Sequence, residues 1–314
     1  MDRAAKRWLV FACKVSISIL LIYVVLQRID LQPLGARLAK LDLASNGAVL
    51  LLFLFQFLLL SARWNWIAAA IGAPLAVDAA LRITAIGWFF NQVLPSSFGG
   101  DAVRIWLGRQ SGMGLVKAAH SVVLDRVVGL MALIAIIGVT LPLFFTAVPS
   151  DAVRWPLVAV VATAVMATGL VLGFGEQLER LIESWRATRF IAPFSRDFRG
   201  LFRSAPRGMA LMLASLVLHL VTVAQMYLIG RAMMIDVSLL QLLALIPPVM
   251  LMALIPVSFA GWGVREGVIV VALGQVGVPA ADAPAMSIVY GLLLTAVGFL
   301  GGTAWFFARR NEAS

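Results

Sequence analysis

Six stretches of this chain, 8–27, 46–70, 118–147, 156–174, 208–231 and 284–308, are each apolar enough and long enough to cross a bilayer. A spanning helix needs roughly 20 apolar residues. Lipid offers no partners to backbone N–H and C=O groups, so only helices or closed barrels can span it. Alternating barrel strands do not occur here, which leaves helices. Composition agrees: 62% of the residues are hydrophobic, 13% are charged, and the mean hydropathy is +0.98. The reading is a polytopic, all-α membrane protein, one transmembrane domain over 1–314.

Two shorter apolar regions break that pattern. Residues 79–94 run into Pro95-Ser96-Ser97-Phe98-Gly99-Gly100-Asp101-Ala102-Val103-Arg104. Residues 237–256 run into Pro256-Val257-Ser258-Phe259-Ala260-Gly261-Trp262-Gly263-Val264-Arg265. Aligned without gaps the two motifs lie 161 residues apart and share Pro, Ser, Phe, Gly, Val and Arg, six of the ten positions. Each region reads as a short arm, a break and a short return, the signature of a re-entrant hairpin, at 79–117 and at 237–278. Pro247 and Pro248 are expected to interrupt the second. Irregular backbone at membrane depth is tolerated only when buried in protein or lining a cavity.

The charge pattern sets a topology. With the N-terminus inside, 15 Lys and Arg fall in inside segments and 5 outside, which the positive-inside rule favours for both termini. The formal charge of +10 is thus a loop bias of a membrane protein, not a nucleic-acid surface. The expected location is a cell or inner membrane of bacterial or archaeal type. Arg3, Lys6 and Arg7 followed by an apolar run mimic a signal peptide, but no small-residue cleavage site follows. Three spans separate the hairpins, so they should enter from opposite sides, as in inverted-repeat transporters. The two half-repeats are expected at about 46–147 and 208–308.

Residues 176–207 differ in kind, with seven arginines and four acids. Leu178, Leu181, Ile182 and Trp185, then Phe194, Phe198, Leu201 and Phe202, recur at helical spacing. They predict two short amphipathic helices separated near Pro193, lying on an anionic lipid surface. Trp64 and Trp66 are expected at an interface, with Arg63 snorkelling there. Gly169/Gly173 and Gly298/Gly302 have the spacing of a homodimer contact.

Intramembrane charges are costly, so they pair, face water or act on a ligand. The candidates are Asp101 with Arg104, Asp125 with Arg126, and Arg265 with Glu266. Gly99, Gly100, Gly261 and Gly263 would let backbone approach a ligand, and N–H groups at a broken helix start suit phosphate. An arginine adds a fixed, forked charge. The alternative is that the charges are ion pairs locking helices together. His120 and His219 are expected as helix residues with local hydrogen bonds. The single Cys13 cannot form an internal disulfide. No metal spacing and no G-x-x-x-x-G-K-[ST] phosphate loop occurs, so no cofactor is expected.

Asn91-Gln92-Val93-Leu94-Pro95 with Gly99-Gly100-Asp101 and Arg104 resembles the first signature of the flippase-like integral membrane family, also described as the lysylphosphatidylglycerol synthase transmembrane region. Arg63-Trp64 resembles its second-helix pattern. Val122-Val123-Leu124-Asp125-Arg126 is similar to its acid-arginine motif, with Asp where Glu is usual. Pro256 through Gly261-Trp262-Gly263-Val264-Arg265-Glu266 resembles its C-terminal signature. The resemblance implies lipid translocation, with partners that are phosphate-bearing membrane lipids. It places Arg63, Asn91, Asp101, Arg104, Asp125, Arg126, Arg265 and Glu266, with the four glycines, at the substrate. Aminoacyl transfer in the bifunctional proteins belongs to a soluble C-terminal domain, which this sequence is expected to lack. An intramembrane headgroup transferase, or a scaffold using 176–207, stands as the alternative.

Overall fold

The computed structural model describes residues 43–93, 98–181, 188–254, 264–279 and 282–311. They form α1 (Leu43–Ala70), α2 (Val77–Val93), α3 (Gly99–Gly108), a π-helical turn (Arg109–Met113) and α4 (Leu115–Ala147). There follow α5 (Asp151–Leu181), α6 (Thr188–Phe202), α7 (Ala205–Ala232), α8 (Leu239–Ala253), α9 (Val264–Gly274) and α10 (Asp282–Asn311). No strand occurs among the described residues. Five of these helices, α1, α4, α5, α7 and α10, are long and apolar enough to cross a membrane. The sixth expected span, 8–27, lies outside the described residues, as do Cys13 and the central break residues 95–97 and 255–263.

Four helices of one half correspond to four of the other. Exchange α1 with α7, α2 with α8, α3 with α9 and α4 with α10, and the pattern of packed neighbours maps onto itself. The hairpin pairs α2–α3 and α8–α9 exchange. So do α1–α2 with α7–α8, and α3–α4 with α9–α10. The cross-half contacts exchange as well: α2 packs on α10, and α8 packs on α4. Each hairpin therefore leans on the last long helix of the opposite half. α5 and α6 have no counterpart in this pattern.

The hairpins are rooted at opposite ends of the bundle. One apolar cluster gathers Ile67, Ala68 and Ile71 at the end of α1 and Ala80 and Ile83 of α2. It also holds Met113, Ala118 and Val122 before and within α4, Phe198 and Leu201 of α6, and Leu211 early in α7. The other gathers Val49 and Phe53 early in α1, Phe144 late in α4 and Ile229 late in α7. Leu242 and Leu245 of α8, Leu273 of α9 and Ala283 and Met286 of α10 complete it. Hairpin α2–α3 roots in the first cluster, hairpin α8–α9 in the second. The described ends of α2 and α8 lie beside the middle of the helix each leans on. Thr295 and Gly298 of α10 meet Gln92. Met250 and Leu251 pack by Leu133, Ile134 and Ile137 of α4. At 1.5 Å per residue, α8 is about 22 Å long, short of the roughly 30 Å hydrocarbon core.

Several local expectations need correction. Pro247 and Pro248 sit inside α8 without interrupting it. A proline forfeits only its own N–H and crowds the preceding turn, which a packed helix can absorb at a cost. Ser238 starts α8 with a capping box to Gln241, its hydroxyl accepting from the Gln241 N–H at 3.2 Å. The stretch 176–181 is the last part of α5 rather than a separate surface helix. Pro193 lies inside α6 and does not divide two helices. The apolar side of α6 turns into protein: Phe198 and Leu201 are buried beside α1, α4 and α7 residues. Asp197 fixes it further, accepting from Lys117 Nζ at 2.7 Å and lying 2.7 Å from His120 Nδ1. Arg196, Arg203 and Arg207 remain exposed.

Gly298 and Gly302 serve the inside of the chain. A Cβ on Gly298 would lie 2.9 Å from Gln92 Cγ, and one on Gly302 would lie 2.8 Å from Phe89 Cδ2. They let α2 approach α10 closely, so this pair is spent on the cross-half contact. Gly169 and Gly173 meet nothing within 4 Å.

Candidate functional site

Hairpin α2–α3 closes through its glycines. A Cβ on Gly100 would overlap the Gly87 carbonyl and the Asn91 side chain, and one on Gly87 would press Arg104 Cγ at 2.8 Å. The Gly100 N–H donates to Asn91 Oδ1 at 2.9 Å. Gly99 and Gly100 are buried. Gly87 and Gly100 serve close helix approach, and one of the N–H groups expected to meet an anion is taken by Asn91.

The return helix α3 then carries Asp101 and Arg104 inward, three residues apart on one face. Arg104 Nη2 donates to Asp125 Oδ2 at 3.1 Å, and its Nη1 lies 3.6 Å from Asp101 Oδ1. Asp125 Oδ1 accepts from Arg63 Nε at 2.9 Å. Arg63 also donates to Ser215 Oγ at 2.8 Å and to the Asp125 carbonyl at 3.3 Å. At the other end, Arg126 Nε donates to Asp101 Oδ2 at 2.8 Å. The result is a continuous row, Arg63–Asp125–Arg104–Asp101–Arg126, joining α1, α4 and α3. Three guanidinium groups against two carboxylates leave it one positive charge in excess.

Burial grades along the row. The Asp125 side chain is 2% exposed, those of Arg63 and Arg104 6%, Asp101 9% and Arg126 42%. Inside, the charges are paired, as burial demands. Arg104 Nε and Asp101 Oδ1 are buried and have no hydrogen-bond partner. Trp64 is fully buried, and Arg104 Cζ stands 4.5 Å over its ring, a cation–π seat. Trp64 Nε1 in turn donates to Ser121 Oγ at 3.1 Å. Arg63 and Trp64 are therefore interior groups, and the interfacial expectation fails for both; Trp66 is exposed. The reason is an available partner: with Asp125 opposite, Arg63 gains more by pairing inside than by snorkelling.

Hairpin α8–α9 presents its arginine differently. Arg265 donates from Nε to Ser287 Oγ at 3.1 Å and from Nη2 to the Ser287 carbonyl at 3.3 Å. Its Cζ lies 5.6 Å from the Tyr290 ring centroid. Ser287 and Tyr290 come from α10, as Asp125 comes from α4. Gly261, Gly263 and the Glu266 side chain lie outside the described residues.

Between the two arginines runs a polar seam along α1 and α7 that sequence reading passed over. Gln56 Nε2 donates to Thr222 Oγ1 at 3.0 Å and to the Leu218 carbonyl at 3.2 Å. Gln225 Nε2 reaches Gln56 Oε1 at 3.4 Å. His219 Nε2 lies 2.8 Å from the Gly129 carbonyl. Both histidines thus bond to other helices, not locally. The signal was present: Gln56 and Arg63 are seven apart, and Ser215, His219 and Thr222 lie at four and three, one face of each span. Among the described residues no group of three His, Cys, Asp or Glu is placed to hold a metal.

The family model for the lysylphosphatidylglycerol synthase TM region matches residues 11–302. The chain belongs to this family. A relative in Methanothermobacter thermautotrophicus, a UPF0104 membrane protein, is 24% identical over 281 residues, covering 78% of this chain and 80% of that one. The match extends over both hairpins and over the Arg63–Arg126 row, and it is to the transmembrane region of the synthase family. As a member of the lysylphosphatidylglycerol synthase TM region family, the chain is a multi-pass membrane protein.

Proposed function

We propose that this chain is a flippase-like lipid transporter that carries a phosphate-bearing lipid between leaflets. The observation that carries the reading is the buried row with one excess positive charge at the root of a half-depth hairpin. Such a row is expensive in a membrane unless it serves an anionic ligand. The hairpins stop near mid-depth and root at opposite ends, which suits a site reached alternately from either side. Arg104 and Arg265 hold the headgroup phosphate, one from each hairpin. Asp101, Asp125 and Glu266 orient those arginines or meet a cationic headgroup moiety. Arg104 exchanges Asp125 for phosphate while resting on Trp64, and Arg63 stays behind to neutralise the carboxylate.

The end holding α6, Arg109, Lys117, Arg196, Arg203 and Arg207 is the cytoplasmic one in this reading, against Arg154 and Arg231 at the other. Both termini then face the cytoplasm of a cell membrane. The exposed arginines of α6 face anionic headgroups there. An intramembrane transferase fits less well. Its base would be Asp101 or Glu266, and Asp101 already accepts from Arg126 Nε and faces Arg104 Nη1.

The test is lipid movement in proteoliposomes, followed by dithionite quenching of fluorescent phosphatidylglycerol and of a fluorescent polyprenyl phosphate. The wild-type chain should accelerate exchange of at least one of them, and Arg104→Gln with Arg265→Gln should remove the acceleration. Unchanged movement of every lipid in the double variant would sink the proposed site.

A further inference from the structure

We infer that Arg126 is the lateral capture point at which a lipid phosphate enters the site, between α3 and α4. This rests on the transport reading above and adds where the substrate arrives. Arg126 lies within the α4 span, about three turns from its start, yet its side chain is 42% exposed. Its neighbours on the same face, Val123 at 45% and Leu130 at 38%, are exposed too. They recur at three and four residues, so this face of α4 looks outward toward the acyl chains. On α3, Phe98 and Trp106 are each 50% exposed, spaced over two turns. The Arg126–Asp101 bond ties the two helices beside these faces.

An arginine held outward within a span is costly, and nothing in the packing requires it. Its Nε is used by Asp101, and its Nη nitrogens make no hydrogen bond among the described residues. Two buried atoms behind it, Asp101 Oδ1 and Arg104 Nε, also have no hydrogen-bond partner. Donors at the outer edge and a donor further in form a path of guanidinium groups that an anionic oxygen can follow. Arg126 takes the phosphate first, by charge-assisted bonds of fork geometry. Asp101 then exchanges partners as the headgroup passes to Arg104. The acyl chains stay in the bilayer beside Phe98, Trp106, Val123 and Leu130. The chemistry at Arg126 is phosphate recognition, which a phospholipid or free phosphate can supply. The apolar rim assigns it to the phospholipid.

The purified chain in detergent is titrated with dioleoyl phosphatidic acid, with dioleoylglycerol, which has the same tails and no phosphate, and with inorganic phosphate. Bound lipid is read by native mass spectrometry. Wild type should retain phosphatidic acid over dioleoylglycerol, and inorganic phosphate should not displace it. Arg126→Gln should lower phosphatidic acid retention roughly tenfold, about the value of one charge-assisted contact, and leave dioleoylglycerol unchanged. Arg126→Lys, which keeps the charge and the Asp101 pair, should lose less and guards against a folding defect. Arg231→Gln, exposed at the opposite end of the bundle, should change nothing. Equal losses in Arg126→Gln and Arg231→Gln, no loss in Arg126→Gln, or displacement by inorganic phosphate would each overturn the assignment. If Arg126 binds the lipid and no lipid crosses in proteoliposomes, transport fails and the capture site stands. If lipid crosses and Arg126→Gln has no effect on binding or rate, the capture site fails and transport stands.

Discussion

The two hairpins occupy equivalent places in the bundle and differ in the partners that the described residues give their arginines. Arg104 sits between two carboxylates and over an indole, with Arg63 closing the row from α1. Arg265 rests on a serine, a backbone carbonyl and a tyrosine ring, all from α10. The α2–α3 half is held by charge and by glycine contacts with α10. The α8–α9 half meets α4 through Leu133, Ile134 and Ile137. In the transport reading, each hairpin brings one arginine to the headgroup phosphate.

The difference can be broken residue by residue. The largest effect should come from Asp125→Asn, which strands Arg63 and Arg104 in the interior. Breaking a buried pair costs about 3–5 kcal/mol, read as a large fall in thermal stability in detergent. A change within error of wild type would mean the row contributes nothing to the first half. Gly100→Ala should follow, at about 3 kcal/mol, because the added methyl meets the Gly87 carbonyl and no flexible group can yield. Loss of the α2–α10 contact is the expected reading, checked by cross-linking cysteines placed at Gln92 and Thr295. Ser287→Ala should cost about 1.5 kcal/mol, the value of one hydrogen bond to a charged group. A cost equal to that of Asp125→Asn would erase the contrast between the halves. Lys117→Met should cost under about 1 kcal/mol. Its side chain is 41% exposed, and such pairs are screened.

Much of the architecture could be read from residues alone. Apolar runs placed the long helices, and the shared Pro-Gly-Arg motif marked the two breaks between the short apolar helices. Asp101, Arg104, Asp125 and Arg126 were picked out because charge in a span needs a reason. What stayed hidden was who pairs with whom. Arg63 and Asp125 are 62 positions apart, and their meeting is set by how α1 and α4 pack. The glycines of hairpin α2–α3 looked like ligand contacts, because close approach to a ligand and close approach to a helix need the same missing Cβ. The burial of α6 was hidden for a similar reason: an amphipathic pattern states that one face is apolar, not whether protein or lipid covers it.

The most direct test concerns the direction of the hairpins. With Cys13 replaced by Ser, single cysteines are placed at the exposed Ala76, before α2, and at the exposed Asp236, before α8. Each is labelled with a membrane-impermeant maleimide in sealed vesicles of known orientation. Oppositely rooted hairpins require Ala76→Cys to react only from the cytoplasmic side and Asp236→Cys only from the other. Reaction of both from the same side would contradict a site shared between two oppositely entering hairpins.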